Sequence, residues 1–521
     1  MRSVMTNQFS QVPQARIPRS TFKRHHGYKT TFDSGYLIPI FVDHAVPGDT
    51  FNLNMTGFAR MATPIYPIMD NLFMETFFFF VPYRLVWDNW QKFCGEQVNP
   101  GDSIDYTIPT YTWTGQASEL SPFDYFGLPT KVDSVLVGAS ALPFRANNLI
   151  WNEWFRDENL QNSLTVDTDD GPDSPSDYST LQRRGKRFDY FTSCLPWPQK
   201  SPDGAVSLPL GTSAPVVPEN SAVGPTFETY AGNSLGLMNQ LGTTANVWQF
   251  DVADGAARWL DPNLEADLTN ATAATINEVR QALQIQQLQE RDARGGTRYT
   301  EIVRSHFGVT SPDARLQRPE FLGGGSSPVN VNPVQQTSET GTSPQGTLAA
   351  YATATLNNHG FTKSFTEHGV VIGYVNVRAD LTYQQGIERH WNKSTRYDFY
   401  WPSLARIGEQ AVLNREIYYN NDANDDLPFG YQERYAEMRY KPSLITGRFR
   451  SNAATPLDAW HLSQDFSALP TLGSSFIQDD PPVDRVVATP SEPEFIFDAW
   501  FDYVCARPMP MHGIPGGLDR F

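Results

Sequence analysis

GVVIGYVNV, residues Gly369 to Val377, sets Val370, Val371, Ile372, Tyr374, Val375 and Val377 along one short run. In an extended chain successive side chains point to opposite faces, so this run is apolar on both. That suits a strand sandwiched between layers. Working outward, Thr76 to Val81 holds four consecutive phenylalanines and is closed by Pro82. Periodicity does not separate strand from buried helix there, but length and aromatic content favour strand. Phe51, Leu53 and Met55 instead alternate with Asn52, Asn54 and Thr56, the period-two pattern of a half-buried strand. Short strands divided by Pro- and Gly-containing turns predict an all-β sandwich or jelly roll.

One helix stands out. Thr275 can cap its first turn, with Glu278 three residues on to complete a capping box. Ile276, Val279, Ala282 and Leu283 share a face, with Leu288 near its edge, and Arg294, Gly295 and Gly296 supply a compatible end. The spacing predicts a helix over about 275–294 whose apolar stripe packs against the sheet or a neighbouring subunit. Two stretches look inserted. Residues 157–182 hold seven acidic residues and no basic one, before Arg183, Arg184, Lys186 and Arg187. Residues 201–270 are rich in Ser, Thr, Ala, Gly and Pro, with eight acidic residues against Arg258 alone. Both read as long exposed loops.

The 521 residues carry 40 basic and 57 acidic side chains, a net charge of −17. Charged residues are 19% of the chain, below the roughly 25% usual for soluble domains. Aromatics reach 13%, and 31 of the 40 basic residues are Arg. Few charges, many aromatics and Arg in place of Lys make an interface-like composition, so an assembling protein is expected. The charge is also polarised. Residues 1–32 hold Arg2, Arg16, Arg19, Lys23, Arg24 and Lys29 and no acid, giving +6, which leaves −23 on the rest. Such an arm is not expected to fold alone. Its Phe22, His25, His26 and Tyr28 can stack on bases while the cations neutralise phosphate.

Other chemistries find little support. No apolar run is long enough to span a bilayer, and residues 1–20 lack the apolar core of a secretory signal. Cys94, Cys194 and Cys505 are too scattered for a disulfide framework and read as buried small hydrophobes in a soluble protein made in a reducing compartment. There is no phosphate loop, no dinucleotide fingerprint, no HExxH and no GxSxG, so no catalytic residue is nominated. Asp422, Asn424, Asp426 and Glu433 fall at positions 1, 3, 5 and 12 of a calcium-loop template, but Leu427 stands where the template needs glycine. A polar Asn/Asp turn explains the same residues without a metal.

Several stretches together resemble one family, the major capsid proteins of gokushoviruses, small single-stranded-DNA microviruses of bacteria. They include RSTFKRHHGYKTTFDSGYLIPIFVD (Arg19 to Asp43), PGDTF (Pro47 to Phe51), ARMATPIYPIMDN (Ala59 to Asn71) and FFFFVPYRLVWDNWQKFCGEQ (Phe77 to Gln97). Further on stand GGTRYTEIVRSHFGV (Gly295 to Val309), RLQRPEFLGG (Arg315 to Gly324), EHGVVIGYVNVRADLTYQQG (Glu367 to Gly386) and FGYQERYAEMRYKPS (Phe429 to Ser443).

The resemblance implies a single eight-stranded antiparallel jelly roll of viral capsid type with large interstrand insertions. It implies assembly with copies of itself into the simplest icosahedral shell around a circular single-stranded DNA genome. It also implies a small basic DNA-binding virion protein, an internal scaffolding protein, a minor DNA pilot protein and a host surface receptor as partners, and no membrane insertion. The particle would be made in the bacterial host cytoplasm. The expected layout is an interior-facing basic arm over 1–32 and the first part of the jelly roll over 33–156. An insertion region over 157–299 follows, with 201–270 as the threefold protrusion, and 300–521 holds the remaining strands and a C-terminal arm. A second reading, a glycan- or receptor-binding β-sandwich, would use loop aromatics such as Tyr230 and Trp248.

Overall fold

Residues Gly369–Ala379 form a strand that pairs antiparallel with Leu72–Pro82 on one side and Ile38–Ala45 on the other. The computed structural model describes residues 17–200, 216–218, 226–229, 234–235, 257–261, 264–266 and 276–513. The chain divides into two compact units: Met1–Pro198 with Asp292–Phe521, and Gln199–Arg291. In the first unit β1 is Ser20–Lys23, β2 His26–Phe32, β3 Ile38–Ala45, β4 Thr50–Met61 and β5 Leu72–Pro82. The second unit holds β6 (Val216–Pro218), β7 (Thr226–Thr229), β8 (Ser234–Leu235), β9 (Ala257–Asp261) and β10 (Leu264–Ala266). The first unit resumes with β11 (Glu320–Pro328), β12 (Asn330–Gln335), β13 (Leu348–Ser364), β14 (Gly369–Ala379), β15 (Glu409–Leu413), β16 (Pro428–Glu433) and β17 (Phe495–Arg507).

Two sheets make the sandwich. One runs β1-β17-β4-β13-β12, with β2 also on β17, and the other runs β11-β5-β14-β3. Setting aside the short β1 and β12, the orders are β2-β17-β4-β13 and β3-β14-β5-β11, and the chain winds between sheets in the jelly-roll manner. Phe41, Phe78 and Val371 of one sheet meet Phe51, Phe497, Phe501 and Tyr503 of the other in a continuous core. The Phe41 ring lies 5.4 Å from Phe501 and 5.5 Å from Tyr503. The opposite side chains of β5 and β14, among them Phe79, Val81, Ile372 and Tyr374, fill a second core against the helix Leu142–Ile150 and Trp151. The doubly apolar run therefore belongs to a strand covered on both faces.

A buried histidine ties the two sheets together. β13 bulges between Leu356 and His359, with Asn358 at φ 60°, which brings His359 into the interior. Its Nδ1 lies 2.8 Å from Thr76 Oγ1 on β5, and its Nε2 lies 3.1 Å from Ser327 Oγ on β11.

Several expectations change. Residues 20–32 are not an unfolded arm, because β1 and β2 share the edge of β17 and form part of the sandwich. The strands of the two facing sheets stop at Pro82 rather than continuing through 156, and resume at Glu320. They break again between Ala379 and Phe495, so 83–319 and 380–494 are the long insertions. The acidic stretch 157–182 is not simply an exposed loop. Asp173 and Arg145 are both fully buried, and Arg145 Nε donates to Asp173 Oδ2 at 2.8 Å. Arg145 Nη1 also donates to the carbonyls of Val86 and Asp169 at 3.0 and 2.9 Å. This arginine pins the acidic loop beneath the helix that covers β5 and β14.

Cys194 and Cys505 are buried, but Cys94 is exposed at the end of the one-turn helix Trp90–Phe93. The long helix spans Ile276–Gly295; its expected cap, Thr275, lies outside the described residues. Along this helix Ile276 is 72% and Leu283 62% exposed.

Candidate nucleic-acid interface

The basic segment enters the fold at the edge of the first sheet. β1 pairs Phe22 with Cys505 and Lys23 with Val504, while β2 pairs Tyr28 with Ala499 and Lys29 with Asp498. Strand alternation then sorts the candidate residues. Arg2 and Arg16 lie outside the described residues. Arg19 and Lys23 are exposed, Arg19 reaching Thr50 Oγ1 at 2.5 Å. Phe22 is half-buried.

The remaining candidates are already engaged. Arg24 ion-pairs with Asp43 and lies over the Tyr503 ring at 5.2 Å, while Tyr503 donates to the same carboxylate at 2.6 Å. Burial alone would weaken the Arg24 charge, but Asp43 outweighs it and raises the pKa above its ordinary value. Lys29 pairs with Asp498 at 3.0 Å. Tyr28 donates to the carbonyls of Pro39 and Tyr125 at 3.2 and 3.0 Å, and burial pushes its phenol up to about 12. His26 stacks on Phe501 at 5.0 Å, and His25 pairs with Asp502 at 2.9 Å. The polar groups of Tyr28, Arg24 and Lys29 thus all have partners inside the subunit, on β3, β17 and the Tyr125 carbonyl.

The calcium-template residues do not converge. Asp422 accepts from the Asn424 backbone N–H at 2.7 Å, Asp426 pairs with Arg415, and Glu433 pairs with Arg439. The carboxylate that organises the turn is Asp425, which accepts the N–H groups of Asn420 and Asp422 at 3.3 and 3.1 Å. Among the described residues no group of three or more His, Cys, Asp or Glu could hold a metal ion. A second basic feature went unassigned in the sequence: Arg184 and Arg187 join Arg378 around Glu75. The charge run after the acidic stretch was its visible signal, but Glu75 and Arg378 lie far away along the chain.

Comparison with known proteins explains this architecture. The model of a family described as "Capsid protein (F protein)" matches residues 10–517. The chain belongs to this phage capsid protein family. It is 49% identical over 529 residues to capsid protein VP1 of Bdellovibrio phage phiMH2K, covering 98% of each chain. It is 45% identical over 588 residues to capsid protein VP1 of Chlamydia phage 1, covering 99% of this chain and 98% of the relative. Against capsid protein VP1 of Spiroplasma virus 4 the identity is 38% over 544 residues, with 98% and 97% covered. This capsid protein is structural and non-enzymatic, assembles with its own copies and resides in the virion. No helix among the described residues is long and apolar enough to cross a membrane.

Proposed function

We propose that this capsid protein closes into a small icosahedral shell around circular single-stranded DNA, with the segment ahead of β1 facing the genome. The observation that carries this reading is the sorting of cations at the sheet edge. Arg24 and Lys29 are paired within the subunit, whereas Arg19 and Lys23 stay solvent-facing, in the same stretch of sequence as Arg2 and Arg16. Exposed Arg19 and Lys23, with Arg2 and Arg16 in the same acid-free stretch of sequence, suit phosphate better than a protein face, and the acidic remainder repels stray nucleic acid. Four cations per subunit offset only part of a genome's charge, which supports a small basic DNA-binding virion partner. Internal scaffolding and DNA pilot proteins complete the partner set for assembly in the host cytoplasm.

The test is to replace Arg16, Arg19 and Lys23 by Ala. Four phosphate contacts on a single strand give a log–log salt slope of about −3, and one remaining contact gives about −0.7. The variant should show the flatter slope and package less DNA per particle. Normal DNA content would mean that the segment is a clamp between subunits. The finer part of the proposal is that the unit containing 201–270 forms a threefold protrusion that touches the host surface. Deleting 201–270 should leave particles intact and abolish adsorption; unchanged adsorption refutes host contact.

A further inference from the structure

The run RRGKR, Arg183 to Arg187, is used neither by the sandwich core nor by the shell reading. Its backbone is fixed on two sides: Arg184 N donates to Gly35 O, and Lys186 N donates to Ile477 O, each at 2.8 Å. Arg184, Arg187 and Arg378 all face the single carboxylate of Glu75, Arg187 at 3.4 Å and Arg378 at 3.3 Å. Arg187 also reaches Asp380 at 3.1 Å. Burial alone would raise the Glu75 pKa, but the guanidiniums outweigh it and hold it below its ordinary value. Nearby Asp479 is pushed up to about 7 by burial. Nε of Arg187, Nε of Arg378 and Nε of Arg156 are buried without a hydrogen-bond partner in the protein. Buried N–H groups without acceptors are costly.

These arginines line a cavity of about 1130 Å³. Arg304, on its wall, is exposed and ion-pairs with no described residue. Phe188, immediately after the basic run, is 80% exposed at the same cavity. The volume exceeds the roughly 300–1,000 Å³ typical of single small ligands, which points to a stretch of polymer. Guanidiniums suit phosphate oxygens through paired N–H groups, and an exposed ring beside them suits a base. A single strand carries a base beside every phosphate, which matches cations set next to an exposed ring.

We infer that this cavity is a second single-strand site, in which the guanidiniums around Glu75 and Arg304 receive phosphate and Phe188 stacks on a base. The inference rests on the DNA-enclosing reading and adds to it a site remote in sequence from the basic segment. The test uses full-length subunits carrying the Arg16, Arg19 and Lys23 replacements, so that the segment's own binding is reduced. A fluorescent octathymidylate is titrated by anisotropy. Phe188→Ala and Arg304→Ala both change exposed side chains, so folding should persist, which thermal melting checks. Each should weaken binding about ten-fold, and Arg304→Ala should also flatten the salt slope by about 0.7. Unchanged binding in both variants overturns the site, as does equal competition by an oligoglutamate of the same charge. Particles without any DNA would instead sink the enclosing reading. Particles with normal DNA together with unchanged octathymidylate binding would sink this site alone.

Discussion

β5 and β14 lie in a sheet covered on both faces, whereas β4 and β17 lie in a sheet covered on one. The first pair places Phe78, Phe80, Val371 and Val375 in the inter-sheet core and Phe79, Val81, Val370 and Ile372 in the second core. In the second pair Phe51, Leu53, Phe497 and Phe501 point inward, while Asn52, Phe58, Ile496 and Trp500 stay exposed. Both sheets contribute to the same inter-sheet core, so the difference arises from what lies outside. The insertion after β5 supplies the helix Leu142–Ile150 and Trp151 as a third layer. That insertion is structural as well as connective, and the other sheet keeps a face open to whatever the shell holds or meets.

The largest test substitutes one residue type on each sheet. Phe79→Ala empties a site that is 1% exposed and should cost about 3–5 kcal/mol of subunit stability. Phe58→Ala, on the open face, should stay within about 0.5 kcal/mol. Denaturant unfolding of dissociated subunits measures both, and equal losses would mean that the open face is covered. Next comes Arg145→Met, which leaves Asp173 buried without its partner and should cost about 3 kcal/mol or more. Adding Asp173→Leu should recover most of that loss, because the cost comes from the stranded charge. Failure to recover would show that the carbonyls held by Arg145 matter more.

A smaller effect is expected from His359, the bridge between the sheets. Burial lowers its pKa below the ordinary 6.5, so the folded state favours the neutral ring. The unfolded chain then binds the proton more readily, so this contribution is present above pH 6.5 and is lost as pH falls through the lowered folded value. Between pH 7 and pH 5 the parent subunit should therefore lose more stability than a His359→Gln variant. Parallel pH profiles would remove His359 as the cause.

The same contrast explains how much could be read in advance. The doubly apolar Gly369–Val377 run and the alternating Phe51–Thr56 run reported their own environments, so the sandwich was legible. β1 and β2 were not, because their order comes from β17, whose residues lie more than 460 positions downstream. HGYKTTF has little periodicity of its own, and six cations without an acid made the whole segment look like a tail. Arg145 was hidden for the same reason: nothing local distinguishes Asp173 from the six other carboxylates in its loop. Charge runs mark composition, while pairing across the fold decides which charges remain available. The near-match to a calcium loop failed on the feature visible in the sequence, Leu427 in place of glycine.

The smallest expected effect sharpens the comparison most. Lys29 sits on β2 opposite Asp498, with side chains 76% and 55% exposed. Exposed pairs of this kind contribute at most about 1 kcal/mol, so Lys29→Ala should barely move subunit stability. Packaged DNA should also hold, because Asp498 already cancels the Lys29 charge, whereas Lys23→Ala removes a cation with no such partner among the described residues. Quantifying nucleotides per particle for the two variants separates two accounts. A loss confined to Lys23→Ala assigns phosphate contact to the entry of the basic segment. An equal loss in Lys29→Ala would move that contact onto the open face, where Trp500 and Phe58 would join it.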